Sequence, residues 1–532
     1  MNRADPNPKF ELLRDPGNAG ELASLIRAAT DPTEVFEQFR RLLLLPGAYV
    51  QRDVLVVEGD VIRKALRASS AIPSRTLAKV ANASPRYHRT ITSFIAACLL
   101  VSGRLDDATR NAVSIEYGKC PTNFDRAIAI IGRHTSVQSM LQAQMLVSEK
   151  NYLTIVLRAA GYSDLALEIG RHVAKISSKI HQRVHQDKLR VFTDRWTFAI
   201  GHIVILAYLV KAQGSGLTPY GGIRIWNGGI ANRYLMDRVS TLSDNFDYIR
   251  SYRFFGELHS VNHAEIFDDQ YLNYFDTCGV IADKAGDETG AILERPALSD
   301  PAFETFRTAL GLQPSARIVT LHCREAGYRV DSRHGLRNVD IATYLPAIRR
   351  LVERGYTVIR LGDRSMTPLP KIPGVFDYAR STLKSPELDV LLTGVATFHI
   401  GSSSGLSLVP QLFGTPCLYL NWYPLDMMPW GRRNWSVLRP MRHLDGSGRV
   451  TDPSVYFRYG RMPDRALLNA CGVEPENLTA EQVEHAVEAF VDGLSADRGP
   501  PDRTGRNIGP VLIAGADGAD EPFIRVPTET IR

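Results

Sequence analysis

Between residues 318 and 421 the chain alternates short β-branched runs with stretches that repeat apolar residues at helical spacing. Apolar runs at 318–321, 356–361, 397–400 and 417–420 read as strands. Residues 341–354 (IATYLPAIRRLVER), 388–392 and 405–412 read as helices, the first stopped by Gly355. Strands that are apolar at successive positions are buried on both faces, which predicts a parallel sheet with crossover helices. Such sheets bind ligands outside the carboxyl ends of their strands. Two polar clusters, His322 to Glu325 and Ser402 to Ser404, follow strands at those ends. The pattern therefore predicts a nucleotide-binding unit, with limits at 301–494.

Upstream the pattern changes twice. Residues 20–187 repeat at helical spacing almost throughout, and two units share an apolar helix, a glycine (Gly103, Gly161) and a short acidic turn. They resemble tetratricopeptide pairs but do not recur at the roughly 34-residue spacing of that repeat. The reading is an irregular α-hairpin extension, either a docking surface for a partner or a helical layer packed on the rest. From 188 onward strands return at 189–193 and 224–226, each followed by a helix, 200–211 and 231–239, which predicts a first Rossmann-like domain at 188–300. Aromatic and acidic residues between 245 and 300, among them Asp268 and Asp269, read as a domain-junction core, with a sugar-holding aromatic surface as the alternative. Residues 480–494 (AEQVEHAVEAFVDGL) form an amphipathic helix that packs back across the domains. Residues 1–19 read as a flexible N terminus and 495–532, rich in Gly, Pro, Asp and Arg, as a disordered tail.

Composition narrows the class. The 532 residues are 44% hydrophobic and 23% charged, values of a soluble globular protein. A net charge of +6, from 63 basic and 57 acidic residues, gives no support to nucleic-acid binding and suits an anionic substrate. Six cysteines (Cys98, Cys120, Cys278, Cys323, Cys417, Cys471) show no CxxC or Cys/His metal spacing, which favours a reducing cytoplasm and no structural zinc. The apolar runs 94–101 and 203–210 are too short to span a bilayer, and residues 1–16 lack the apolar region of a signal peptide. The expected location is the cytoplasm, with peripheral attachment at the inner membrane as an alternative.

The serine cluster has a physical use. Small residues between Gly401 and Gly405 leave the first amides of the next helix open, and those amides with the helix dipole favour a diphosphate. Arg324, at the end of another strand, can clamp the same phosphates. The bland reading is a structural cap and a surface arginine. Arg329, Asp331 and Arg333 lie in a loop over the strand end, and Arg337, Asn338 and Lys384 follow nearby. Asp340 reads as a helix cap.

The residues also carry a resemblance. Residues 320–328 (TLHCREAGY), 337–341 (RNVDI), 358–363 (VIRLGD), 377–381 (DYARS), Lys384-Ser385 and 400–406 (IGSSSGL) resemble, in order, the blocks of a family of bacterial proteins assigned as glycosyltransferases. More distantly, His-x-Arg after a strand resembles the donor motif of fucosyltransferases, and Gly-Thr-Pro before a strand that of heptosyltransferases. The resemblance implies a GT-B-like pair of Rossmann-like α/β domains, a nucleotide-sugar donor held mainly by the second, and no required metal or other cofactor. It carries the diphosphate contact onto Arg324. With that residue, His322, Glu325, Arg337, Asn338, Lys384, Ser402, Ser403, Ser404 and Gly405 make up the expected donor-binding set. Glu325-Ala326-Gly327 departs from the fucosyltransferase motif, so the resemblance does not extend to GDP-fucose.

For the chemistry, a neutral imidazole at a strand–helix junction can take the acceptor hydroxyl's proton, and Gly201-His202 offers one. His202 is the candidate base, with Asp194, Glu325, His263 and Glu265 as rivals. The expected function is metal-independent transfer of a sugar to a glycan, lipid-linked or protein acceptor. The alternatives are a nucleotide-sugar epimerase or hydrolase of the same fold and a non-catalytic helical-repeat interaction protein.

Overall fold

The computed structural model describes residues 24–35, 38, 189–250, 265–267, 270–272, 274–328, 335–460, 468, 472–495 and 509–527, apart from positions 219 and 520. Most of the predicted helical extension at 20–187, with Gly103 and Gly161, lies outside them, as do His263, Asp268, Asp269, Arg329, Asp331 and Arg333.

The described chain is mixed α/β, built on two parallel sheets. The smaller is a βαβαβ unit: β1 (Leu189–Phe192), α1 (Ile200–Gly214), β2 (Gly222–Trp226), α2 (Arg233–Ser240) and β3 (Phe246–Ile249), paired in the order β1-β2-β3. The third strand falls in the stretch read as a junction core. A short hairpin of β4 (Glu265–Phe267) and β5 (Gln270–Leu272) follows, then α3 (Tyr274–Ala285).

The larger sheet begins after α4 (Pro301–Ala309) with β6 (Arg317–His322). Then come α5 (Leu345–Glu353), β7 (Tyr356–Arg360), β8 (Val375–Phe376), α6 (Pro386–Val395), β9 (Phe398–Gly401), a 3₁₀ helix (Leu406–Phe413), β10 (Cys417–Trp422) and β11 (Trp435–Leu438). The pair β12 (Met441–His443) and β13 (Val473–Pro475) brackets α7 (Pro453–Tyr459), and α8 (Ala480–Ser495) leads to β14 (Val511–Ala514) and β15 (Phe523–Arg525). The eight strands pair in the order β15-β14-β11-β10-β9-β6-β7-β8, all parallel except the β14–β15 edge.

Alternation of side chains builds the layers. On β10, Leu418 and Leu420 join the cluster under α5 and α8, while Cys417 and Tyr419 join the one that holds α1. Gly355 (φ 77) ends α5 in the left-handed region, and Ser385 caps α6 by accepting from the Leu388 amide at 3.1 Å.

Two expectations are corrected. The helix expected at 405–412 is 3₁₀ with Pro410 inside it, a residue that has no amide hydrogen to give an α-helical ladder. The tail expected to be disordered contributes β14 and β15, with Val511, Ile513 and Ala514 buried. Overall Gly and Pro content hid an apolar run of strand length.

The two sheets share one apolar cluster. Helix α1 is buried nearly all round, which a helix apolar on every face requires, and it packs on the 3₁₀ helix. Tyr208 donates to the Gln411 carbonyl at 3.3 Å, and the Asn232 side chain donates to the Pro386 carbonyl at 2.9 Å. At the start of the seam, Gly201 lies against Gly405: a Cβ added to Gly201 would sit 2.6 Å from Gly405 Cα. Among the described residues no helix is long and apolar enough to cross a membrane.

Candidate functional site

Three neighbouring strands, β6, β9 and β10, end side by side, and the loops that leave them are laced together. The Ser402 amide donates to the His322 carbonyl at 3.0 Å, which carries the β6–β9 ladder one residue past the strands. The Ser402 hydroxyl accepts from the Arg324 amide at 2.8 Å, and the Ser403 hydroxyl accepts from the Tyr423 amide at 2.6 Å. Asn421, at φ 55, accepts from the Leu478 amide at 2.8 Å and donates to Tyr344 Oη at 3.1 Å. The hydroxyls of Ser402 and Ser403 thus each accept from the backbone of a neighbouring strand end, and both residues are fully buried. In sequence the three serines look alike; here only Ser404 is half-buried.

Ser404 pairs with His322. Nδ1 of His322 lies 3.2 Å from the Leu361 carbonyl and Nε2 lies 2.9 Å from Ser404 Oγ. A carbonyl only accepts, so Nδ1 carries the hydrogen. Burial, together with the nearby charges of Arg360 and Arg324, pushes the His322 pKa down to about 4 despite its bond to Leu361. The ring is therefore neutral at pH 7, and Nε2 accepts from the Ser404 hydroxyl. A second buried imidazole, His399, stands on β9, bonded through Nδ1 to Thr320 Oγ1 at 3.0 Å and pushed down by burial to about 3.

Arg324 is buried at the end of β6, and its carbonyl accepts from the Val339 amide at 2.8 Å, which fixes the loop behind it. Glu325 is engaged inside the fold. Its carboxylate accepts from Arg360 at 2.5 Å and from the Thr367 amide at 3.1 Å, and Arg360, fully buried, also reaches the Thr367 carbonyl and Asp377. Glu325 was expected beside the donor; its contacts are those of an internal ion pair. Sequence reading gave Arg360 no role, although an arginine inside the apolar run 358–361 was the available signal.

Other members of the set stand in their own contacts. Lys384 is held by both carboxylate oxygens of Asp389, at 2.5 and 2.6 Å, over the ring of Tyr378. Arg337 reaches Met427 Sδ at 3.9 Å. The loop at 336–339 is pinned by Arg439, which donates to the carbonyls of Leu336 and Asn338 at 2.8 Å. The Asn338 side-chain oxygen is buried without a hydrogen-bond partner.

His202 occupies the first turn of α1, half-buried, its ring edge-on to Phe198 with centroids 4.9 Å apart. The glycine contact brings this turn to the serine loop. Because Gly201 precedes His202 and Gly405 follows Ser404, the Cα atoms of His202 and Ser404 are no more than about 12 Å apart. The predicted acceptor-side and donor-side residues thus meet at one crossing. Among the described residues no group of three or more His, Cys, Asp or Glu could hold a metal ion.

Neither known protein families nor curated protein sequences give a match to this chain. Among solved structures it is similar to the E. coli ADP-heptose LPS heptosyltransferase II, at 12% identity and a TM-score of 0.35, over 58% of this chain and 99% of that one. A likeness at that level bears on neither the chemistry nor the ligand, which rest on the geometry above.

Proposed function

We propose that the protein is a glycosyltransferase of GT-B-like organisation that moves a sugar from a nucleotide-sugar donor to an acceptor hydroxyl without a required metal. The reading rests on one observation: a buried arginine and a serine–histidine pair at the carboxyl ends of parallel strands, with a helix start and a second imidazole at the same crossing. In this reading the Arg324 guanidinium and the first amides of the 3₁₀ helix neutralise the leaving diphosphate. His202 takes the proton of the acceptor hydroxyl. The acceptor is a glycan, a lipid-linked sugar or a protein side chain. Attachment at the membrane surface, if the acceptor is lipid-linked, is peripheral.

A hydrolytic serine is disfavoured. Ser404 and His322 have the spacing of a nucleophile and its base, but an imidazole with a pKa of about 4 is a poor proton acceptor at pH 7.

The test is a thermal-shift panel of UDP-, GDP-, ADP- and CMP-sugars on the wild type, Arg324→Lys and Arg324→Ala. A rise with one base, lost in the folded arginine variants, is the expected result. No rise with any nucleotide, in folded wild type, removes the transferase reading and favours a non-catalytic interaction protein.

A further inference from the structure

The hydrogens at the Ser404–His322 pair can be counted. The ring nitrogen nearer the backbone, Nδ1, donates to the Leu361 carbonyl, so in the neutral ring Nε2 has only a lone pair. A serine hydroxyl has one hydrogen, and at 2.9 Å it is committed to Nε2. What Ser404 can show a ligand is therefore an oxygen lone pair. The ring is 5% exposed, and the positive charges of Arg360 and Arg324 beside it oppose protonation, so the arrangement holds at neutral pH. The two serines before it are engaged, Ser402 by the Arg324 amide and Ser403 by the Tyr423 amide.

We propose that Ser404 acts as a hydrogen-bond acceptor that selects a hydroxyl group of the bound nucleotide sugar and takes no phosphate oxygen. This rests on the donor-site reading above and reverses the simplest expectation for a serine-rich loop at a helix start. Phosphate oxygens at neutral pH carry lone pairs and no hydrogen beyond a fractional one, so an acceptor facing them is repelled. A ribose or sugar hydroxyl supplies the hydrogen that Ser404 lacks. Anion recognition falls to Arg324 and the backbone amides, and Ser404 reads the sugar part of the ligand.

Two measurements test this. In protein labelled with ¹⁵N-histidine, with the His322 signals assigned by their loss in His322→Asn, the spectrum at pH 7 should show a protonated Nδ1 and a bare Nε2. Calorimetry then compares the nucleotide sugar identified by the panel with inorganic pyrophosphate, on the wild type, Ser404→Ala and Ser404→Thr. Ser404→Ala should weaken the nucleotide sugar about fivefold to tenfold and leave pyrophosphate within about twofold, with Ser404→Thr close to the wild type. A bare Nδ1 with a protonated Nε2, or an equal loss for pyrophosphate, overturns the proposal. If wild type binds none of the ligands, the transferase reading falls, and the ligand selection falls with it. The histidine spectrum then decides whether Ser404 is an acceptor at all.

Discussion

At the carboxyl ends of β6, β9 and β10, polar side chains are buried and tied to one another. Arg360 holds Glu325, Ser402 and Ser403 hold neighbouring backbone, and His322 holds Ser404. On the other side of the glycine crossing the start of α1 is built from apolar surface. Phe198 is 48% exposed, its ring meets His202 edge-on, and the helix behind is buried almost throughout. A wired polar end fixes dipoles in place before a charged ligand arrives, which is what stabilising a leaving diphosphate requires. An apolar shelf with one imidazole fixes little, which suits an acceptor that docks beside it. In the proposed transferase reading, recognition falls to the large sheet and proton transfer to the small one.

The polar end is most sensitive at Arg360. Arg360→Met leaves the Glu325 carboxylate buried without its cation, and removing one partner of a buried pair costs about 3–5 kcal/mol. Urea unfolding should register a loss of that size. If the polar network were decorative, the loss would be near zero.

The crossing itself is next. The Cβ of Gly201→Ala would fall 2.6 Å from the Gly405 Cα, and backbone cannot swing aside as a flexible side chain can. Overpacking of this kind costs about 1–3 kcal/mol. Urea unfolding should show the loss, and transfer activity should fall further than stability does, since the substitution also separates His202 from the serine loop.

Acidity separates the two regions more gently. His322 and His399 have folded pKa values of about 4 and about 3, below the unfolded value of 6.5. The unfolded chain therefore binds more protons between pH 6.5 and 4. Their contribution is present above 6.5 and is lost as the pH falls through that window, by about 1.4 kcal/mol per pH unit for each ring. Unfolding curves at pH 7, 6 and 5 should show this slope, and His399→Asn should remove about half of it. An unchanged slope would mean that His399 titrates alike in the folded and unfolded protein.

Four strands of the large sheet, β6, β7, β9 and β10, were legible because strands buried on both faces must be apolar in runs, and the carboxyl-end position of both polar clusters followed from that. Strands β3, β8, β11, β14 and β15 were not, being short runs among aromatic, Trp-rich or Gly- and Pro-rich neighbours. The candidate site was legible as a set of residues and opaque as a set of roles. Ser402, Ser403 and Ser404 differ only in the direction each faces, which the ladder between β6 and β9 decides. Glu325 looked like a ligand-facing carboxylate until its partner, 35 residues further along, came into view. The meeting of Gly201 and Gly405 is a long-range contact that no local pattern announces.

Titration calorimetry can separate the two sides of the glycine crossing. The nucleoside diphosphate identified by the panel would be titrated into the wild type, Arg324→Lys and His202→Ala. Binding should be lost or strongly weakened in Arg324→Lys and kept in His202→Ala, with transfer activity falling about 100-fold or more in the latter. Equal affinities in all three proteins, or a loss of binding confined to His202→Ala, would contradict this division of labour.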